Sequence, residues 1–345
     1  MSTPAFTEIP EVDVSGLFSD DPADQAAVAA QLGAAARDVG FLYVTGTGLD
    51  PALYDDLVAA AQRFFDQPDE RKMSVYIGRS SNHRGYVPVG EEVLGGQSRD
   101  LKEAYDLSLD LPADHPAVAV GPGLLGPNQW PDLPGFREQV GAYYDAAMAL
   151  GRVLLRGFAM ALGEDPALFD SHVTTPPSQL RLIHYPYEPD AHDVHGIGAH
   201  TDYECFTLLR STAPGLEVLN GDGVWIDAPP RPDAYVVNVG DLLEVWTNGQ
   251  LVATTHRVRK VAEERWSFPL FFNVDYDTVV APLPQFLAEG QEPGPGVVAG
   301  DHLLAQTAQT FTYLQQRMAR GELVLPDGAL GRGTFGQGAR QEQAS

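Results

Sequence analysis

The sequence predicts a mainly β protein with helices, its strands closed into a barrel or sandwich and its helices packed outside. Three observations lead there. Between Gln179 and Asp277, seven short β-rich runs alternate with turns. Upstream, three stretches repeat apolar residues at the helical period. The chain has 345 residues, 44% hydrophobic and 20% charged, enough for one large core and incompatible with global disorder.

Ile9-Pro10-Glu11-Val12-Asp13-Val14 alternates apolar and polar side chains and reads as a short strand. Asp24 to Val39 places Val28, Leu32, Ala35 and Val39 at helical spacing, with Asp20 and Asp21 before Pro22 as start signals and Gly40 as the stop. Phe41-Leu42-Tyr43-Val44 is a compact apolar strand, and a second helix begins near Pro51. Gly78 to Gly96 and Pro112 to Pro134 read as loops, being rich in glycine or proline. A long helix is expected over Phe136–Leu162, bracing a sheet. The seven strand-like runs are Leu180–Tyr185, Cys205–Arg210, Leu216–Leu219, Val224–Ile226, Ala234–Val239, Thr254–Val261 and Trp266–Val274. Asn248-Gly249 marks a tight turn. One last helix is expected near Asp301–Met318.

These elements divide the chain into an N-terminal helix and strand region (1–134), a bracing helix (135–178), the β-rich core (179–285), a C-terminal helix (286–330) and a mobile polar tail (331–345). The formal charge of −25, from 47 acidic and 22 basic side chains, repels phosphate backbones and anionic bilayers. Nucleic acid and membrane are therefore not expected partners. With one cysteine, Cys205, the chain can build neither an intrachain disulfide nor a cysteine metal cluster. The first residues carry no leader-like pattern, so a cytoplasmic, monomeric protein acting on a small molecule is the expectation.

Chemistry enters at His200-Thr201-Asp202. On a strand, residues two apart share a face, so one imidazole and one carboxylate converge. His256 follows 54 residues after Asp202 in the same β-rich region, where a barrel can bring it alongside. Two imidazoles and one carboxylate occupy three corners of an octahedron and leave three open, a donor set suited to iron(II) and oxygen. Catalytic zinc uses similar donors, usually tetrahedrally. Nine residues after His256, Arg265 and Ser267 share another strand face, and Tyr185 can add a hydroxyl. A guanidinium fork and hydroxyls form a socket for a dicarboxylate.

Together these segments resemble the isopenicillin N synthase-like family of iron(II)- and 2-oxoglutarate-dependent dioxygenases. Ile9–Asp13 and Gly40–Val44 look like its N-terminal region. His200-Thr201-Asp202-Tyr203, Val237-Asn238-Val239-Gly240-Asp241, Thr247-Asn248-Gly249, His256-Arg257-Val258 and Arg265-Trp266-Ser267 match its core in order. The resemblance implies a double-stranded β-helix (jelly-roll) core flanked by α-helices. Its iron ligands fall on His200, Asp202 and His256, and its 2-oxoglutarate partners on Arg265, Ser267 and Tyr185. It also implies O2 as oxidant, succinate and CO2 as coproducts, and hydroxylation, desaturation or cyclisation of a small substrate such as a specialised metabolite in antibiotic biosynthesis. Ile183 stands where many plant relatives carry asparagine.

For the substrate, Arg84, Tyr86, Tyr203, Phe206 and Phe271 are the candidate contacts, and the loop carrying Arg84, Tyr86, Glu91 and Lys102 is a candidate lid. Two other classes stay open at this point. An oxidase of the isopenicillin N synthase type would consume O2 with substrate but without 2-oxoglutarate. A non-catalytic jelly-roll would keep its ligand when His200 is replaced by alanine. His83, His115, His172, His184, His192, His195 and His302 fall at no useful spacing.

Overall fold

A computed structural model describes residues 5–92, 102–119, 123–187, 197–259, 263–294 and 296–326. The tail expected from residue 331, together with His192 and His195, lies outside the described residues.

The N-terminal part follows its local signals closely. After β1 (Glu11–Asp13), helix α1 (Pro22–Asp38) is capped by Asp21, whose carboxylate accepts the Ala23 N–H, with Pro22 in the first turn. Gly40, at φ 71°, turns the chain into β2 (Phe41–Thr45), and a Cβ there would lie 2.2 Å from the Val252 carbonyl oxygen. Asp50 and Pro51 start α2 (Pro51–Phe65) in the same way, and the short α3 (Asp69–Met73) follows. Inside the expected loop lies β3 (Gly85–Val87), which pairs with β4 (Glu103–Leu107). Three-residue strands carry too little alternation to stand out from loop sequence.

The long helix is α4 (Phe136–Ala161), and α1 and α2 pack against it. The β-rich part comprises β5 (Gln179–Tyr185), β6 (Ile197–His200), β7 (Phe206–Ser211), β8 (Leu216–Leu219), β9 (Trp225–Asp227) and β10 (Tyr235–Val239). Helix α5 (Asp241–Trp246) then leads to β11 (His256–Val258) and β12 (Arg265–Phe272). A small pair, β13 (Val279–Val280) and β14 (Val297–Val298), precedes the C-terminal helices. The single helix expected there breaks at Phe311, which is extended at φ −94° and ψ 126°, into α6 (Ala299–Thr310) and α7 (Thr312–Ala319).

Two sheets result. The larger runs β1-β2-β10-β7-β12-β5-β4-β3 and the smaller β6-β11-β8-β9. Alternation along the strands gives the larger sheet two faces. Phe206, Leu208, Leu180, Leu182, Trp266, Phe268, Leu270 and Phe272 join the core that includes α1, α2 and α4. Thr207, Leu209, Gln179, Arg181, Ile183, Tyr185, Arg265, Ser267, Pro269 and Phe271 face inward, across a cavity from Ile197, His200, Leu216, His256 and Val258 of the smaller sheet. This is the double-stranded β-helix with flanking helices, and the site lies between its sheets.

Candidate active site

His256 on β11 pairs directly with His200 at the end of β6, which sets their rings 4.3 Å apart between centroids. Asp202 lies just past the strand, its backbone oxygen accepting the Asp241 N–H at 2.8 Å. Its Oδ1 is 3.6 Å from His200 Nε2 and 3.5 Å from His256 Nε2. One donor atom from each residue falls within 4.8 Å of the other two. His200 Nδ1 donates to the Gly198 carbonyl at 2.8 Å and His256 Nδ1 to that of Thr254 at 3.2 Å. Both rings are thereby held with Nε2 toward the common point. Asp202 Oδ2 accepts from Thr207 Oγ1 and, at 2.7 Å, from Asn238 Nδ2, leaving Oδ1 to the same point.

The electrostatics agree with a cation site. Burial, reinforced by His256, lowers the His200 pKa to about 4, so this imidazole is the neutral ligand form at pH 7. Burial acts against charge on His256 as well, but the Asp202 carboxylate outweighs it and raises that pKa. Asp202 itself is driven well below the usual carboxylate range, because His256, His200 and its hydrogen bonds overcome the cost of burial. Two nitrogens and one oxygen aimed at one point, with every other polar atom of the three side chains engaged, fit a divalent metal.

The cavity over these residues measures about 170 Å³. Arg265, Ser267 and Tyr185 line it, Arg265 standing opposite Tyr185 in the β5–β12 ladder. The Arg265 Nε donates to the Ala213 carbonyl at 3.2 Å, while Nη1 and Nη2 are buried without an acceptor among the described residues. The Tyr185 hydroxyl, close enough to Arg265 to favour its charge, has no well-formed hydrogen bond among the described residues. A buried guanidinium fork without an acceptor is costly, and a carboxylate supplies what is missing.

Of the candidate substrate contacts, Tyr203 and Phe271 line the cavity and three do not. Phe206 is one residue out of phase: it points to the helix side, stacked on Phe272 at 4.7 Å, and Thr207 faces the site in its place. Tyr86 turns to the same helix side, donating its hydroxyl to Glu103 at 2.6 Å. Arg84 is buried, with Nη1 on the His83 carbonyl and Nη2 on that of Leu124. The expected lid residues are pinned, Glu91 by Tyr76 and the start of α7, Lys102 by Glu92 at 3.2 Å.

Several residues that build the site have roles that their spacing in the sequence does not reveal. Thr207 and Asn238 hold the metal-side carboxylate; a lone asparagine inside the apolar run Tyr235-Val236-Val237-Asn238-Val239 was the available signal. Arg181 binds Asp106 and Glu92 in a buried network that Lys102 joins, closing one end of the cavity. Leu303, Thr307 and Thr310, at i, i+4 and i+7 on α6, form another wall.

Fold and site together define a mononuclear non-haem metal centre inside a jelly-roll. Residues 176–274 match the 2OG-Fe(II) oxygenase superfamily model, and residues 9–133 match that of the non-haem dioxygenase in morphine synthesis N-terminal region. The 2-oxoglutarate-Fe(II) type oxidoreductase hxnY of Emericella nidulans is 35% identical over 319 residues, covering 89% of this chain and 91% of that protein. The homoarginine-6-hydroxylase 2-ODD-C23 of Glycine max is 34% identical, over 90% of this chain and 99% of the relative. Neurospora crassa T7H, crystallised with alpha-KG and thymine, superposes with a TM-score of 0.73 at 28% identity, covering 91% of this chain and 97% of that one. The chain belongs to the 2-oxoglutarate and iron(II)-dependent oxygenase family. It is a 2-oxoglutarate-dependent dioxygenase using iron(II) held by His200, Asp202 and His256.

Proposed function

We propose that this dioxygenase hydroxylates a small, heteroatom-bearing metabolite seated between Phe271, Tyr203 and the inner face of α6. The observation that carries the reading is the unpaired Arg265 fork, buried in the same cavity as the metal donors. Arg265, with Ser267 and Tyr185, takes the distal carboxylate of 2-oxoglutarate and leaves its other end free to reach the metal. With iron and 2-oxoglutarate bound, O2 would be the oxidant, one of its atoms entering the hydroxylated product and the other the succinate formed as 2-oxoglutarate loses CO2. The remaining work is done by the protein. Ile183, Leu209, Leu216 and Val258 keep water from the reacting groups, and the fixed Asp202 holds the metal in one orientation.

Charged groups at one end of the cavity and the aromatic Tyr203 and Phe271 suit small molecules that range from polar amino acids to nucleobases. The relatives that act on homoarginine or bind thymine are consistent with that range. Desaturation or ring closure would use the same apparatus. The test is anaerobic addition of iron(II) and then 2-oxoglutarate, followed by visible charge-transfer absorbance. The band should vanish in His256→Ala, and Arg265→Ala should need far more 2-oxoglutarate to reach it. Unchanged 2-oxoglutarate demand in Arg265→Ala would place the socket elsewhere. Succinate release over candidate metabolites then identifies the substrate.

A further inference from the structure

His83 sits next to the arginine singled out in the sequence, and it is His83 that lines the metal cavity. Its backbone is left-handed, φ 60°, a conformation rare for a residue with a side chain and one that clusters at functional positions. The turn is held rigidly. Ser80 Oγ accepts the N–H groups of Asn82 and Arg84, each at 3.1 Å, and Gln129 Nε2 donates to the Arg84 carbonyl at 2.5 Å. The imidazole stacks on Tyr313 and meets the edge of Phe311, with a centroid distance of 4.5 Å to the latter. Nδ1 lies 2.5 Å from the Tyr313 hydroxyl. A buried O–H needs an acceptor, and Nδ1 is the one this hydroxyl reaches among the described residues, which assigns the ring proton to Nε2. Nε2 is the ring nitrogen that Tyr313 does not engage, on a side chain that lines the cavity.

The surroundings set what it would bind. Burial, with Arg84 and Arg181 nearby, holds the His83 pKa well below its usual value, so the ring is a neutral donor. Arg84, behind the cavity wall, pairs with two carbonyls, while the Lys102 and Arg181 cations that line the cavity are paired with Glu92. Phe271, Tyr203 and Phe311 supply aromatic walls.

We propose that His83 Nε2–H is a specificity-determining contact of the dioxygenase, donating to a carboxylate or carbonyl oxygen of a ring-bearing substrate. The inference rests on the functional reading above and deepens it. The test uses the wild-type and His83→Phe proteins loaded with iron(II) and 2-oxoglutarate under anaerobic conditions, the charge-transfer band being recorded first in both. Benzoate, benzamide and benzylamine are then titrated by equilibrium dialysis. Wild type should hold benzoate and benzamide about tenfold more tightly than benzylamine, the worth of one hydrogen bond to an oxygen acceptor. His83→Phe should lose that preference while keeping the band, and His83→Gln, which retains a donor, should recover part of it. In the diamagnetic zinc(II) form with 2-oxoglutarate, the His83 Nε2 nitrogen resonance should move on adding benzoate. A signal that stays put, no binding of benzoate, or an unchanged preference in His83→Phe overturns the proposal alone. Absence of the band in wild type overturns the functional reading and the proposal with it.

Discussion

Asn238 donates to Asp202 Oδ2 at 2.7 Å across 36 positions of sequence, tying the metal carboxylate to β10. With Thr207 on the same oxygen, this fixes which oxygen faces the metal. Asn238→Ala should lower iron(II) affinity ten- to a hundredfold, about the usual effect of losing such a support. Anaerobic iron(II) titration measures it. Unaltered affinity would mean that Thr207 alone orients the carboxylate.

Metal binding should also appear as stability. A ligand that binds only the folded chain adds about 2.7 kcal/mol at a hundredfold excess over its dissociation constant. Iron(II) or zinc(II) should therefore raise the melting temperature by several degrees. The same additions should do almost nothing to His256→Ala.

Glu92 makes a prediction about acid. Burial pushes its carboxyl up, but Arg181 and Lys102 outweigh that and hold its pKa down to about 2, from an ordinary value of 4.5. The folded state thus binds this proton less readily than the unfolded one. The stabilisation is complete above about pH 4.5 and is lost as pH falls toward 2. Asp106 shifts the other way, because its burial prevails over Arg181, and it offsets part of the effect. In Glu92→Gln the melting temperature should be lower at neutral pH and should fall less steeply between pH 4.5 and 2. Parallel acid limbs in the two proteins would rule Glu92 out as their source.

Gly151 in α4 tests packing against propensity. Alanine there gains about 1 kcal/mol of helix preference. The new Cβ would lie 2.3 Å from the Phe272 ring, which cannot swing away because it is stacked on Phe206. Overpacking of this kind costs about 1–3 kcal/mol, so Gly151→Ala should be destabilised by about 1 kcal/mol net. The urea midpoint decides the sign.

How far the sequence could be read depended on whether a signal was local. Capped helices such as α1 and α2 announce themselves through Asp21-Pro22 and Asp50-Pro51. Most core strands were readable to within a residue or two, β8 to the residue. The metal donors stood out because His200 and Asp202 are close in sequence and His256 comes in the right order. What stayed hidden depends on contacts between distant segments. Phe206, a candidate from its nearness to the metal ligands in sequence, falls on the helix side, because a shift of one residue along a strand exchanges the two faces. His83 gave no spacing to read, since its partner Tyr313 lies 230 residues away. The buried network of Glu92, Lys102, Asp106 and Arg181 reads along the chain as ordinary surface charge.

The two metal imidazoles are steered by carbonyls two residues before them, Gly198 for His200 and Thr254 for His256. Main-chain oxygens persist whatever side chain they carry. Neighbouring positions on those strands can therefore drift in evolution without turning either ring. The carboxylate has no such insurance, because Thr207 and Asn238 hold it through side chains that a single codon change removes. Laboratory evolution that loosens or retunes this centre should accumulate its changes on the Asp202 side.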